Sequence, residues 1–80
     1  MTLIEALRAT KEKGFNYMAI DDPKHDPAVF AYLEEPEYEP KDGQWYPMES
    51  DYELICDRLT TILGGESKDW LLKVDTLGVL

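Results

Sequence analysis

Between Tyr32 and Glu53 the chain reads YLEEPEYEPKDGQWYPMESDYE, and in that stretch carboxylates alternate with large aromatic side chains. Glu34, Glu35, Glu37, Glu39, Asp42, Glu49, Asp51 and Glu53 supply the acids, Tyr32, Tyr38, Trp45, Tyr46 and Tyr52 supply the rings, and Lys41 is the only cation among them. The chemistry open to such a set is recognition rather than bond-making. Tyr and Trp join an apolar body to a polar tip, which suits interfaces, and the surrounding carboxylates select a basic partner. If residues 34–39 run extended, Glu35, Glu37 and Glu39 project from one face about 6.6 Å apart, two strand steps. Such a row has the character of a nucleic acid's phosphate array. It can occupy the Lys- and Arg-rich surface of a nucleic-acid-handling protein and keep the nucleic acid out. The competing account is a solvated sheet edge, because acids and prolines also protect edges from aggregation.

Other chemistries are poorly supplied. Asp21, Asp22, His25 and Asp26 are the only candidate metal cluster, and they match neither the ligand positions nor the turn glycine of a calcium loop. Asp-Asp and Asp-Pro pairs are ordinary turn residues, so no metal and no cofactor is expected. His25 is the only histidine. Cys56, the only cysteine, falls on an apolar stripe where a small buried hydrophobe is the usual role. Ser50 and Ser67 sit where helix caps are expected. With 80 residues there is little room for a substrate cleft of several hundred Å³, and enzymatic activity is not expected.

Charge is unevenly distributed. Residues 21–57 hold twelve acids against Lys24 and Lys41, a net of −10, whereas the whole chain carries −9. Self-repulsion of this kind destabilises a compact state. It also keeps a small protein soluble, so the cluster reads either as a binding feature or as a solubility device. Leu, Ile, Val and Phe make up 19 of the 80 residues, above the roughly 20% below which charged chains stay disordered. A small single domain is expected. No disulfide can form within the chain, which leaves oligomerisation as the available staple. The N-terminal MTLIEALRATKEKG lacks the apolar run of a signal peptide, and no segment reaches the length of a membrane span. The expected compartment is the cytoplasm.

The elements that must position these residues follow from local signals. Thr2-Leu3-Ile4-Glu5 is a capping box, Leu3, Ala6, Leu7 and Thr10 form a helical stripe, and Gly14 supplies a left-handed stop. Residues 15–21 and 28–33 read as antiparallel strands separated by a turn with two prolines. Pro36 and Pro40 leave the acidic run as an edge strand or a loop, and Asp42-Gly43 marks a hairpin turn leading to Trp45 and Tyr46. Ser50-Asp51-Tyr52-Glu53 reads as a second capping box. Tyr52, Ile55, Leu59 and Ile62 then predict a core helix over 51–63 ended by Gly64-Gly65. In the tail, Trp70, Leu71, Val74 and Leu77 fit a helix capped by Gly78, while Trp70, Leu72 and Val74 fit a strand; the helix is taken.

The expected fold is therefore α+β: an antiparallel sheet of two to three strands with helices packed on one face, in the order α-β-β-(β)-α-α. The expected function is a protein interaction module, an acidic inhibitor or regulator of a basic, nucleic-acid-handling partner, of the kind that phages and other mobile elements encode. It would act by mimicking nucleic acid rather than binding it, and without a membrane. Its contact residues would be Glu34, Glu35, Glu37, Tyr38, Glu39, Asp42, Trp45, Tyr46, Glu49 and Asp51. The alternative is a homodimeric structural or assembly protein whose acids serve solubility alone. A homodimer is expected in either case, through Trp70, Leu72 and Leu77, because the tail is too apolar for one helix face.

Overall fold

A computed structural model describes residues 1–74. It opens with helix α1 (Leu3–Glu12), set by the residues that announce it. The Thr2 hydroxyl accepts the Glu5 amide at 3.2 Å and the Glu5 carboxylate accepts the Thr2 amide at 2.8 Å. At the other end Gly14, at φ 86°, lets its own amide donate to Lys11 and the Phe15 amide donate back to Thr10. That bond pair satisfies carbonyls the helix would otherwise leave open.

The remaining regular structure is mostly β. Strands β1 (Tyr17–Asp21) and β2 (Ala28–Tyr32) form the expected antiparallel pair, Tyr17 opposite Tyr32 and Asp21 opposite Ala28. Strands β3 (Glu37–Glu39) and β4 (Gln44–Tyr46) make a separate two-stranded hairpin across the Asp42-Gly43 turn. Strand β5 (Tyr52–Cys56) pairs with β2, and β6 (Leu71–Lys73), preceded by a 3-10 turn at Ser67–Asp69, pairs with β1. The larger sheet has the order β5-β2-β1-β6, antiparallel throughout.

This corrects the expected architecture. Among the described residues there is one helix, not three, and the main sheet has four strands rather than two or three. The helix expected over 51–63 is replaced by β5 and an irregular segment. Tyr52, Ile55, Leu59 and Ile62 do recur at helical spacing, but Thr60-Thr61-Ile62 are β-branched and lose side-chain freedom in a helix. The intended cap is also engaged elsewhere: the Ser50 hydroxyl accepts the Glu34 amide, and the Asp51 carbonyl accepts the Leu33 amide. Beyond β5 the chain is held by long-range bonds, Leu59 to Pro27, Thr60 to Met1 and Leu63 to Pro23. The tail helix is overturned as well, since Leu71–Lys73 is a strand. There the period-2 pattern wins because the free edge of β1 offers backbone partners, with Ile20 donating to Trp70 and Val74 to Asn16. Leu77 and Gly78 lie outside the described residues.

The core has two parts, one on each face of the sheet. On the helix side Ala6 and Leu7 meet Met18, Ile20, Val29, Leu59 and Val74, all buried, with Ile55, Cys56, Trp70 and Leu72 packed against them. Each buried Leu, Ile, Val or Met side chain contributes about 1.5–3 kcal/mol. On the opposite face Ala19, Tyr32 and Trp45 form a second cluster, flanked by Tyr17, Phe30, Tyr38 and Leu71. The β3–β4 hairpin is the cover of that second face. No helix among the described residues is long and apolar enough to cross a membrane.

Candidate functional site

Register places the site. Side chains alternate across a strand, so Tyr17, Tyr32 and Tyr52, which are partners across β1, β2 and β5, share one face with Ala19, Phe30 and Leu54. Asp21 falls on that face at the end of β1, and Leu71 joins it from β6. The hairpin is fastened there through Trp45. Its amide donates to Asp21 Oδ1 at 3.1 Å, its indole N–H donates to the Ser67 carbonyl at 2.8 Å, and the Tyr32 hydroxyl approaches its carbonyl at 3.5 Å. Ser67 in turn takes the Asp22 amide on its hydroxyl. Tyr38 packs against Trp45 with ring centroids 5.2 Å apart.

The hairpin covers only part of the face. Between β4 and the rest lies a groove of about 380 Å³. Its floor is Ala28, Phe30 and Tyr32 from β2 with Tyr52 from β5, and its wall is the β4 segment from Gln44 to Pro47. Asp21, Asp22 and Asp26 close the end nearest the β1–β2 turn. Tyr32 and Tyr52 stack with centroids 6.1 Å apart and planes 19° from parallel. Asp22 takes φ 51°, a left-handed conformation that Asp tolerates, and its carbonyl accepts the His25 and Asp26 amides.

The electrostatics follow the burial. Burial pushes the Asp21 carboxyl up from its ordinary value, the Trp45 amide pulls it back, and the charge of Asp22 adds to the rise. Burial likewise drives the Tyr32 phenol far above its usual range, helped by the Asp21 charge and by Tyr52, so it remains a donor. The Tyr46 hydroxyl donates to Asp42 Oδ2 at 2.7 Å. That bond is the main reason its phenol also titrates above the ordinary value, ahead of partial burial and the charges of Asp42, Glu39 and Asp21.

The residues singled out in the sequence divide between two places. Glu37 and Glu39 lie on the outer face of the hairpin, where with Asp42, Tyr46 and Met48 they line a smaller groove of about 310 Å³. Glu34, Glu35, Glu49 and Asp51 are exposed in the connections on either side of the hairpin. The acidic run is thus partly strand and partly turn. Of the aromatics expected to be partly exposed, Tyr38 and Tyr46 are, at least in part, whereas Trp45 is 9% exposed and belongs to the core. Tyr52, assigned to a core helix, is instead 55% exposed. Trp70 and Leu72 are half-buried, packed on the helix-side core, with the Trp70 indole N–H donating to Gly64 at 2.7 Å.

The sequence reading weighs Asp21 and Asp26 only as metal ligands and Tyr52 only with the ring set and a core helix, and it misses Phe30 as a site residue. A signal for Phe30 is present in Ala28-Val29-Phe30-Ala31-Tyr32, which is apolar on both faces and so belongs to a sheet covered on both sides. Within the Asp21–Asp26 turn, His25 Nδ1 lies 3.0 Å from Asp22 Oδ1 and Asp26 pairs with Arg58 at 3.4 Å. Among the described residues no group of three or more His, Cys, Asp or Glu side chains is placed to hold a metal ion. The chain matches no protein-family model, no curated protein and no solved structure.

Proposed function

We propose that this chain is a non-enzymatic binding module for a basic protein partner, one whose own surface is built to hold nucleic acid. The observation that supports this best is the division of the hairpin. Tyr38 and Trp45 face the sheet and anchor it, so Glu37, Glu39 and Asp42 are carried outward on a fastened scaffold. Carboxylates held this way lose little freedom on binding, and they steer a cationic partner during approach. Changing Glu35, Glu37 and Glu39 together to Gln leaves the anchoring side untouched. A partner captured from the source cells and then purified should bind the triple variant with a slower association rate, and raised salt should reproduce the effect on the unaltered chain. Association indifferent to both treatments would remove the proposal.

A second reading, a homodimer, rests on a different observation. Strand β5 is an edge of the main sheet, and its Tyr52 and Leu54 are exposed. Edge-to-edge pairing of two copies would extend the sheet. Sedimentation equilibrium distinguishes the states, because the chain alone has a mass of 9.2 kDa.

A further inference from the structure

We propose that the groove between β4 and the open part of the sheet receives an arginine side chain of the partner, with its guanidinium against the aromatic rings and its donors directed at the acidic end. The inference rests on the binding-module reading and assigns that module a specific pocket. The aromatic surfaces are Phe30 and Tyr52 on the floor and Tyr46 on the wall, and the acids are Asp21, Asp22 and Asp26. A slot of about 380 Å³ holds one long side chain but not an element of secondary structure.

Charge complementarity selects the occupant. An apolar plug would make no use of the carboxylates at the end of the groove, and an acidic group would be repelled by them. A second copy of this chain would bring a net charge of −9 to an acidic groove. Among cations, a guanidinium is planar, weakly hydrated and able to stack on rings while donating in a fork, whereas a lysine ammonium is a compact, strongly hydrated point charge. The acids have capacity for it. Asp21 uses Oδ1 for the Trp45 amide, and a carboxylate accepts at about four positions. The partners of Asp22 and Asp26 are the exposed His25 and Arg58, and exposed pairs of this kind are weak and readily exchanged. The Arg58 guanidinium lies 3.4 Å from Asp26 as an exposed pair, so a partner's arginine would exchange with it at that carboxylate.

The test uses the full chain and three blocked tripeptides, Gly-Arg-Gly, its citrulline counterpart and Gly-Leu-Gly, followed by amide chemical shifts. Citrulline keeps the shape of arginine and removes the charge. The arginine peptide should shift Phe30, Tyr46 and Tyr52 saturably, and the citrulline peptide should bind about tenfold more weakly. Asp26→Asn and Tyr52→Ala, both at exposed positions, should each weaken the arginine peptide about five- to tenfold. Asp26→Asn keeps the test decisive if Tyr52→Ala perturbs the sheet. The double variant Glu37→Gln, Glu39→Gln should weaken peptide binding less than Asp26→Asn does. Equal binding of arginine and citrulline, preference for leucine, or groove shifts that track protein concentration without peptide would each overturn the inference. If the peptide leaves the groove unshifted while polyarginine binds through Glu37 and Glu39, the arginine pocket falls and the binding module stands. Failure of polyarginine at low salt as well removes both.

Discussion

Asp21 and Trp45 meet across 24 residues of chain, the amide of one on the carboxylate of the other at 3.1 Å. Together with the indole bond of Trp45 to Ser67, this bond fixes the hairpin at the acidic end of the groove. It also sets two requirements on Asp21 that can be separated, since the amide needs an acceptor but burial disfavours a charge.

Asp21→Asn should therefore keep the hairpin in place and Asp21→Ala should not. The alanine leaves a partly buried donor unsatisfied, at a cost of about 1–3 kcal/mol. The two differ in pH dependence as well. An acid raised in the fold holds its proton more tightly when folded, so its effect is to lower stability as pH rises from the unfolded value of 3.8 through the higher folded one. At neutral pH that cost is fully present, and Asp21→Asn should melt no lower than the unaltered chain. Melting curves between pH 3 and 7 check this. An asparagine variant as unstable at neutral pH as the alanine variant would show that the charge itself holds the hairpin.

Glu5 should behave in the opposite sense. Its bonds to the Thr2 amide and hydroxyl are the main cause that lowers its carboxyl below the ordinary 4.5. Its stabilisation is present above that unfolded value and lost as pH falls through the lower folded one. Glu5→Ala should lower the melting temperature near neutrality and leave it nearly unchanged in strong acid. A constant deficit at every pH would place the effect in helix propensity instead.

Gly43 should resist replacement for reasons of backbone alone. It sits at φ 65°, and a Cβ there would meet only the Tyr38 hydroxyl oxygen at 3.9 Å, an ordinary contact. Gly43→Ala should cost about 1–2 kcal/mol through left-handed strain, while Gly43→Asn, which tolerates that conformation, should cost less. Denaturant unfolding of the two variants gives the comparison, and equal losses would locate the problem in space rather than in φ.

Signals confined to a few neighbouring residues could be read in advance. The Thr2–Glu5 box, the Gly14 stop, the β1–β2 pair and the Asp42-Gly43 turn each depend on residues close in sequence. The errors came where a distant partner decided the outcome. Ser50 has the spacing of a helix cap, but the Glu34 amide is bonded to its hydroxyl. Tyr52 and Ile55 have helical spacing, but β2 is there to be paired. Leu71 and Leu72 serve opposite faces of the sheet, which no helical stripe in the tail could express. The outward acids Glu37 and Glu39 were legible; the groove was not, because Asp21, Phe30, Tyr46 and Tyr52 come from four separate strands.

The hairpin touches one of two separate apolar clusters. Met18, Ile20, Val29 and Leu7 pack on the far side of the sheet without it, whereas Ala19 and Tyr32 share their burial with Trp45. A chain divided in this way has two tiers of opening. The hairpin can lift as a unit, releasing the bonds of Trp45 to Asp21 and Ser67, while the helix and four-stranded sheet keep their own core. In hydrogen exchange, the Trp45 amide should then exchange ahead of those of Ala19 and Ile20. The groove exists only while that clasp is shut, so a ligand seated against β4 would slow the exchange of the clasp more than that of the sheet.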